Sequence, residues 1–312
     1  MPHESLPVLL TGGAGFIGSA LIPEIRSRGH DVFVIDNLSF GRRELADVTA
    51  DHFFACDIRD ADAVSRIVAH VDPRWIVHLA AIHFLPYCNA NPVETAFVNL
   101  GGTRNLLTAA RALPNLEKLF FASTAAVYPV CDVAVDENYP VAPTDIYGLS
   151  KLLGEHLLNE FHLQTSVPTI ICRFFNAFGP NETNPHLIPE IQRQVNSGAR
   201  TLALGNLIPK RDFVHTTDMA DAILKLLHSV DSGISIFNLG RGVEYSVTEV
   251  VAAFEAALGE PLRIEVDPAR VRRSERLHLL ADISKLKEAI DWEPRVGLME
   301  GIATLVGPPT RN

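Results

Sequence analysis

The stretch Leu6-Pro7-Val8-Leu9-Leu10-Thr11-Gly12-Gly13-Ala14-Gly15-Phe16-Ile17-Gly18 decides the fold. An apolar run of strand length ends in a glycine-rich turn. An amphipathic pattern then continues to about Arg28, where Gly29 stops it. The reading is strand, glycine turn, helix start. Glycines let a backbone approach a pyrophosphate closely, and the unpaired N–H groups of the first helical turn bind it. A second apolar strand, Asp31–Ile35, delivers Asp36 at 18 positions beyond Gly18. That is close to the spacing at which a carboxylate holds ribose hydroxyls. Asp36 would repel a 2′-phosphate, so the pattern favours NAD over NADP. A tight turn with no ligand explains the glycines but not the strand and the acid that follow them.

The alternation continues outward from this stretch. Strands are expected at His52–Cys56, Trp75–Leu79, Lys118–Ala122 and Thr169–Phe174. Helices are expected from about Asp60, from Pro92 to about Leu113, and over Tyr147–Phe161. Strands alternating with helices over this length predict an α/β chain with a doubly wound parallel Rossmann sheet. Ligands bind such sheets at the carboxyl ends of the strands. Gly12–Gly18, Asp36, Ala80-Ala81 and Thr124 all fall at such ends, so one cleft would collect them. After Phe175 the pattern changes to shorter elements, among them a helix at Val247–Leu258, a strand at Arg263–Val266 and a helix at Ile283–Ile290. This predicts a smaller, partly interleaved α/β substrate domain. The boundaries read as 1–175 plus about 212–243 for the dinucleotide-binding domain, and 176–211 and 244–312 for the second. Lys210, Arg211, Arg270, Arg272, Arg273 and Arg276 lie in or beside that second domain, where basic groups suit a diphosphate.

The candidate chemistry lies between Ser123 and Lys151. Tyr147 and Lys151 stand at i, i+4, on one face of a helix. A phenol is a poor base at its ordinary pKa of about 10, and a cation held beside it favours the phenolate. Lys151 can supply that charge, and Thr124 offers a hydroxyl able to share a proton with a substrate oxygen. The pattern points to oxidation of a hydroxyl to a carbonyl.

The whole chain narrows the classes. Its 312 residues can bury a large core, and the net charge of −10 with interspersed signs argues against a general nucleic-acid partner. No basic-then-apolar leader and no membrane-length apolar run are seen. Cys56, Cys88, Cys131 and Cys172 are widely spaced and read as reduced thiols of a cytoplasmic protein. The 12 histidines include no His-x-x-x-His pair, and no metal site is expected. His78 and His83 read as packed or hydrogen-bonded, whereas Tyr87 is open between cleft and core.

Taken in order, Thr11–Gly18, Val34–Ser39, Asp57-Ile58, His78–Ala81, Asn99, Ser123–Tyr128, Tyr147-x-x-x-Lys151, Arg173–Asn176, Arg211–His215 and Ala281–Ser284 carry a family resemblance. The chain resembles the extended short-chain dehydrogenase/reductase family over nearly its whole length, and within it the nucleotide-sugar 4-epimerases of the UDP-galactose type. The resemblance implies a pyrophosphate turn at Gly12, Gly15, Phe16, Ile17 and Gly18. It implies adenosine contacts from Asp36, Asn37, Asp57 and Ile58, and further NAD contacts from Leu79, Ala80, Ala81, Asn99, Tyr147 and Lys151. Tyr147 would be the base, Lys151 its activator and Thr124 the partner at the sugar O4. Asn176, His186, Leu187, Arg211, Arg272 and Glu275 would meet the nucleotide sugar. His186 replaces the family's Asn, and Arg272-Arg273-Ser274-Glu275 replaces its Arg-x-Gly-Asp.

Ala125-Ala126 stand where related dehydratases and decarboxylases carry acids, so neither reaction is expected. The implied activity is NAD-dependent inversion at C4 of a nucleotide-diphosphate hexose, with UDP-glucose and UDP-galactose or their N-acetyl forms foremost. The implied assembly is a homodimer through Pro92–Leu113 and Tyr147–Phe161. A 4-ketoreductase or dehydrogenase consuming NAD(H), and a non-catalytic dinucleotide-sensing module, are the alternatives.

Overall fold

The computed structural model describes residues 5–271 and 276–306. Val8, Leu9 and Leu10 are all fully buried, as a strand must be when both faces of its sheet are covered. Among the described residues the strands are β1 (Pro7–Thr11), β2 (Asp31–Asp36), β3 (Phe53–Ala55), β4 (Trp75–His78), β5 (Lys118–Thr124), β6 (Thr169–Phe174), β7 (Asn176–Phe178), β8 (Thr201–Leu204), β9 (Lys210–His215), β10 (Ile234–Leu239), β11 (Glu244–Ser246) and β12 (Arg263–Val266). The α-helices are α1 (Phe16–Ser27), α2 (Ala61–Val71), α3 (Leu85–Ala90), α4 (Pro92–Ala96), α5 (Thr103–Ala110), α6 (Ile146–Thr165), α7 (Leu187–Asn196), α8 (Thr216–Ser229), α9 (Val247–Leu258), α10 (Ser284–Ile290) and α11 (Leu298–Leu305).

The large sheet is wholly parallel and runs β10-β6-β5-β4-β1-β2-β3. Alternate residues of each strand serve two cores. Val8, Leu10, Val77 and Phe120 pack against α1, α8 and α10, whereas Leu9, Ile76, Leu119 and Phe121 pack against α2, α5 and α6. The order reverses at β1 and β4, which opens a crevice above their carboxyl ends.

Two further sheets, β11-β9-β7 and β12-β8, build the smaller lobe with α7, α9 and α11. Its core holds Phe178, Ile191, Leu202, Phe213, Val250, Phe254 and Ile302. Asp212 in β9 clamps this lobe to the chain around it. Its carboxylate accepts from the amides of Arg241 at 2.6 Å, Gly242 at 2.8 Å and Ala281 at 3.2 Å. Burial pushes it up to about 6 against those three donors.

The structure differs from expectation in two places. The helix expected from Pro92 to Leu113 contains a π-helical turn, Phe97–Gly102, between α4 and α5. The wide turn fits around Asn99, which is buried, and Gly102 lies so close over Ile58 that a Cβ would collide with it. The stretch 281–292 does not stay in the smaller lobe, to which α11 returns. Ala281, Ile283, Leu286 and Trp292 rejoin the core of the large sheet, because α10 packs on α8 and β10.

Candidate active site

A cleft of about 880 Å³ crosses the carboxyl ends of β1, β2, β4, β5 and β6 and enters the smaller lobe. Gly12, Gly15, Phe16, Ile17, Gly18, Asp36, Asn37 and Ile58 line one end of it. Gly12 has φ +75°, and a Cβ there would sit 2.7 Å from the Ala80 nitrogen. A Cβ on Gly18 would sit 2.6 Å from the Gly13 oxygen. The turn is therefore folded so tightly that only glycine fits. Gly15 caps α1 without a side-chain hydrogen bond, which leaves the first-turn N–H groups to a ligand.

Asp36 is 8% exposed on the same wall. Its carboxylate accepts from the Ala14 amide at 3.0 Å and the Leu38 amide at 2.8 Å, and burial still moves its pKa upward. Asn37 donates to Asp57 at 2.9 Å. Asp57 bonds Asn37 and Arg59, and the Arg59 fork holds it down at about 2. Tyr87, open in the sequence, faces the cleft here, donating to Glu94 at 2.8 Å and meeting the Phe40 ring edge-on. These residues form a cradle with room for a dinucleotide: backbone donors, a carboxylate on β2 and an apolar wall.

Thr124, Tyr147 and Lys151 line the middle of the cleft, beside Leu79, Ala80 and Ala81. Thr124 ends β5, and Asp145 starts α6 by accepting from the Gly148 amide at 2.7 Å. Gly148 lets α6 press against the Ala126 carbonyl, so a side chain there would hold the helix off. The result sets the Thr124 hydroxyl beside the Tyr147 phenol, where it favours the phenolate.

Lys151, together with a bound oxidised nicotinamide, is expected to favour the Tyr147 phenolate. Burial works against this and raises the phenol above its ordinary range, with the neighbouring Thr124 hydroxyl as the counterweight. Lys151 is itself stripped of water and brought down to about 7, opposed only by Glu155. Its ammonium lies 4.7 Å from the centre of the Phe121 ring.

Asn99, expected on the cofactor, lies behind the cleft wall. Its oxygen accepts from the Ile82 amide at 2.8 Å, and its nitrogen donates to the Ile82 carbonyl and to Ser150. Its polar atoms thus tie the segment after β4 to α6. His78 is packed, bonded to Thr11 at 2.6 Å and Thr103 at 2.9 Å, with burial holding it down at about 3. His83 is different, because it lines the cleft.

At the far end Asn176, His186, Leu187, Arg211, Arg276 and Leu279 face the cavity. Arg270 reaches Glu190 at 3.0 Å. Arg272 and Glu275 lie outside the described residues. Behind the catalytic residues is a group that sequence reasoning missed. Glu155 receives Arg173 through two bonds of 3.0 and 2.8 Å and the Ser123 hydroxyl. Arg173 also reaches the Tyr128 hydroxyl at 3.0 Å. Glu155 stands four residues beyond Lys151, and that spacing was the available signal.

A doubly wound sheet with a glycine turn at its crevice, a carboxylate on the second strand and a Thr–Tyr–Lys group beside them defines a dinucleotide-binding protein equipped for proton transfer. Residues 8–240 match the model of the NAD dependent epimerase/dehydratase family, and the chain belongs to that family. A UDP-glucose 4-epimerase of Corynebacterium glutamicum is 33% identical over 306 residues, covering 93% of this chain and 91% of that one. The crystal structure of the Thermus thermophilus UDP-glucose 4-epimerase complex with NAD superposes with a TM-score of 0.87 at 33% identity, covering 96% and 98% of the two chains. The Bifidobacterium longum enzyme in complex with NAD+ and UDP gives a TM-score of 0.88 at 27% identity, covering 96% and 97%.

Proposed function

We propose that this chain is an NAD-dependent epimerase that inverts C4 of a nucleotide-diphosphate hexose, with the UDP-glucose/UDP-galactose pair as the foremost substrate. The observation that carries the reading is the continuity of the cleft from the glycine turn past Thr124, Tyr147 and Lys151 to Arg211. The relatives named above support the UDP-hexose and the cofactor.

Bound NAD supplies a hydride acceptor that can return the hydride it takes. Gly12, Gly15, Phe16, Ile17 and Gly18 would hold its pyrophosphate by backbone N–H groups, and Asp36 would hold its adenosine ribose. Tyr147 takes the proton from the sugar O4 and later gives one back, and the Thr124 hydroxyl beside it favours the phenolate. A positive charge brought beside Tyr147 favours its phenolate, and Lys151 adds to that charge while protonated. Arg211, Asn176, His186 and Leu187 anchor the nucleotide side, so the 4-keto sugar can turn about its diphosphate linkage and present its other face. Ala125 and Ala126 line the cleft beside Thr124 and can move no proton, which leaves return of the hydride as the open path.

Val93 and Phe97 are 67% and 64% exposed, α4 and the π-helical turn that carry them pack beside α6, and Leu149 and Leu153 of α6 are exposed as well. This apolar surface supports a homodimer through α4 and α6. No helix among the described residues is long and apolar enough to cross a membrane, and the four cysteines are free, in keeping with a cytoplasmic enzyme.

The test is to incubate the purified chain with UDP-galactose and no added cofactor. UDP-glucose should appear, and Tyr147→Phe should lower kcat by at least ~100-fold while the protein still carries NAD. A Tyr147→Phe variant with near-normal turnover would remove the assignment.

A further inference from the structure

We propose that His83, Glu182 and His186 form a binding site for one divalent cation of the zinc class, at the junction of the two lobes and facing the cleft. His83 belongs to the segment between β4 and α3, whereas Glu182 and His186 precede α7. One ring nitrogen of each histidine and one carboxylate oxygen of Glu182 all lie within 4.8 Å of one another. The imidazoles stack at 5.9 Å with 27° between their planes.

The hydrogen bonds around His83 prepare a ligand. Its Nε2 faces the Asn184 side-chain nitrogen at 3.2 Å, so that nitrogen is the acceptor. A ring nitrogen that accepts carries a lone pair, and a lone pair of this kind is what a metal ion takes from an imidazole. The Asn184 backbone amide donates to the Glu182 carboxylate at 2.9 Å. Asn184 therefore donates to both a histidine lone pair and the half-buried Glu182 carboxylate. A cation bridging the same two acceptors would take that place, with His186 beside it as third ligand.

Two imidazoles and one carboxylate are the donor set of open zinc sites, which keep a fourth position for water or substrate. All three residues line the cleft, so that position faces the cavity. Its natural occupant is a substrate diphosphate oxygen, a point that rests on the proposed function, whereas the cation site itself does not.

The test uses the full chain, stripped with a chelator, loaded with Zn2+ and passed through metal-free gel filtration. The wild type should retain one equivalent by elemental analysis, and His83→Ala and Glu182→Gln should each weaken retention by about tenfold or more. Co2+ in place of Zn2+ should give the visible bands of a low-coordinate nitrogen–oxygen site in the wild type alone. Circular dichroism and melting curves show whether each variant is folded, and Glu182→Gln keeps the shape of the site. A wild type that retains no metal, or folded variants that retain as much as the wild type, would overturn the proposal. The readout needs no turnover, so failure of the epimerase reading would leave it standing. Tighter Zn2+ retention with UDP present would support the diphosphate as fourth ligand, and unchanged retention would refute that part.

Discussion

Glu155→Gln tests how the catalytic helix is held. The Glu155 and Arg173 side chains are 6% and 5% exposed and joined through two bonds. Removing the carboxylate charge leaves the buried guanidinium without the anion it is paired with, facing a neutral amide, the Tyr128 hydroxyl and the Glu137 carbonyl. Breaking one side of a buried pair typically destabilises by ~3–5 kcal/mol. At ~2 °C per kcal/mol for a chain of this size, the melting temperature should fall by about 6–10 °C. The double variant Glu155→Leu/Arg173→Met should lose less than Glu155→Gln does, because no unpaired charge remains. Glu155 is also the charge that opposes the lowering of Lys151. Its loss should move the alkaline limb of the pH–rate profile to lower pH. Melting curves and initial rates read both effects. A variant melting within about 2 °C of the wild type, with an unmoved profile, would refute the reasoning.

Lys151 falls from 10.5 to about 7 in the folded protein. The folded state therefore binds fewer protons than the unfolded one between those values, and stability is lost as pH falls through that window. Lys151→Met in the cofactor-free chain should raise the melting temperature most at or below pH 7, with the gain vanishing by about pH 10.5; a gain independent of pH would contradict this. Gly12→Ala places a methyl against Ala80 in a backbone with φ +75°. It should destabilise by ~1–3 kcal/mol and release NAD on gel filtration, and a stable variant that keeps its NAD would show that the cradle is not tight.

The parts legible in the sequence were those written in short spacing. The strand, glycine turn and helix at Leu6–Gly18, the acid at Asp36 and the Tyr147–Lys151 pair each depend on residues a few positions apart, or on one strand following one helix. β6, α9 and β12 carry the bounds expected of them. The wide turn at Asn99 was not legible, because its cause is the fit of buried Asn99 against Ile82 and Ser150. Nor was the return of α10 to the large sheet, which is settled by packing against α8. The Glu155–Arg173 pair joins a helix to a strand, and His83 meets His186 across the cleft. Side chains so far apart in the chain are brought together only by the assembled fold. Even Lys151, which lines the cleft, has a charge set by burial more than by its neighbour on the helix.

The central claim is that the hydride leaves C4 and returns to C4 within one binding event. UDP-galactose carrying deuterium at C4 tests it most directly, with the product read by NMR and mass spectrometry and no cofactor added. The account predicts UDP-glucose with the deuterium still at C4 and no net rise in reduced-nicotinamide absorbance. Deuterium lost to solvent, or a reduced cofactor accumulating in step with product, would contradict it.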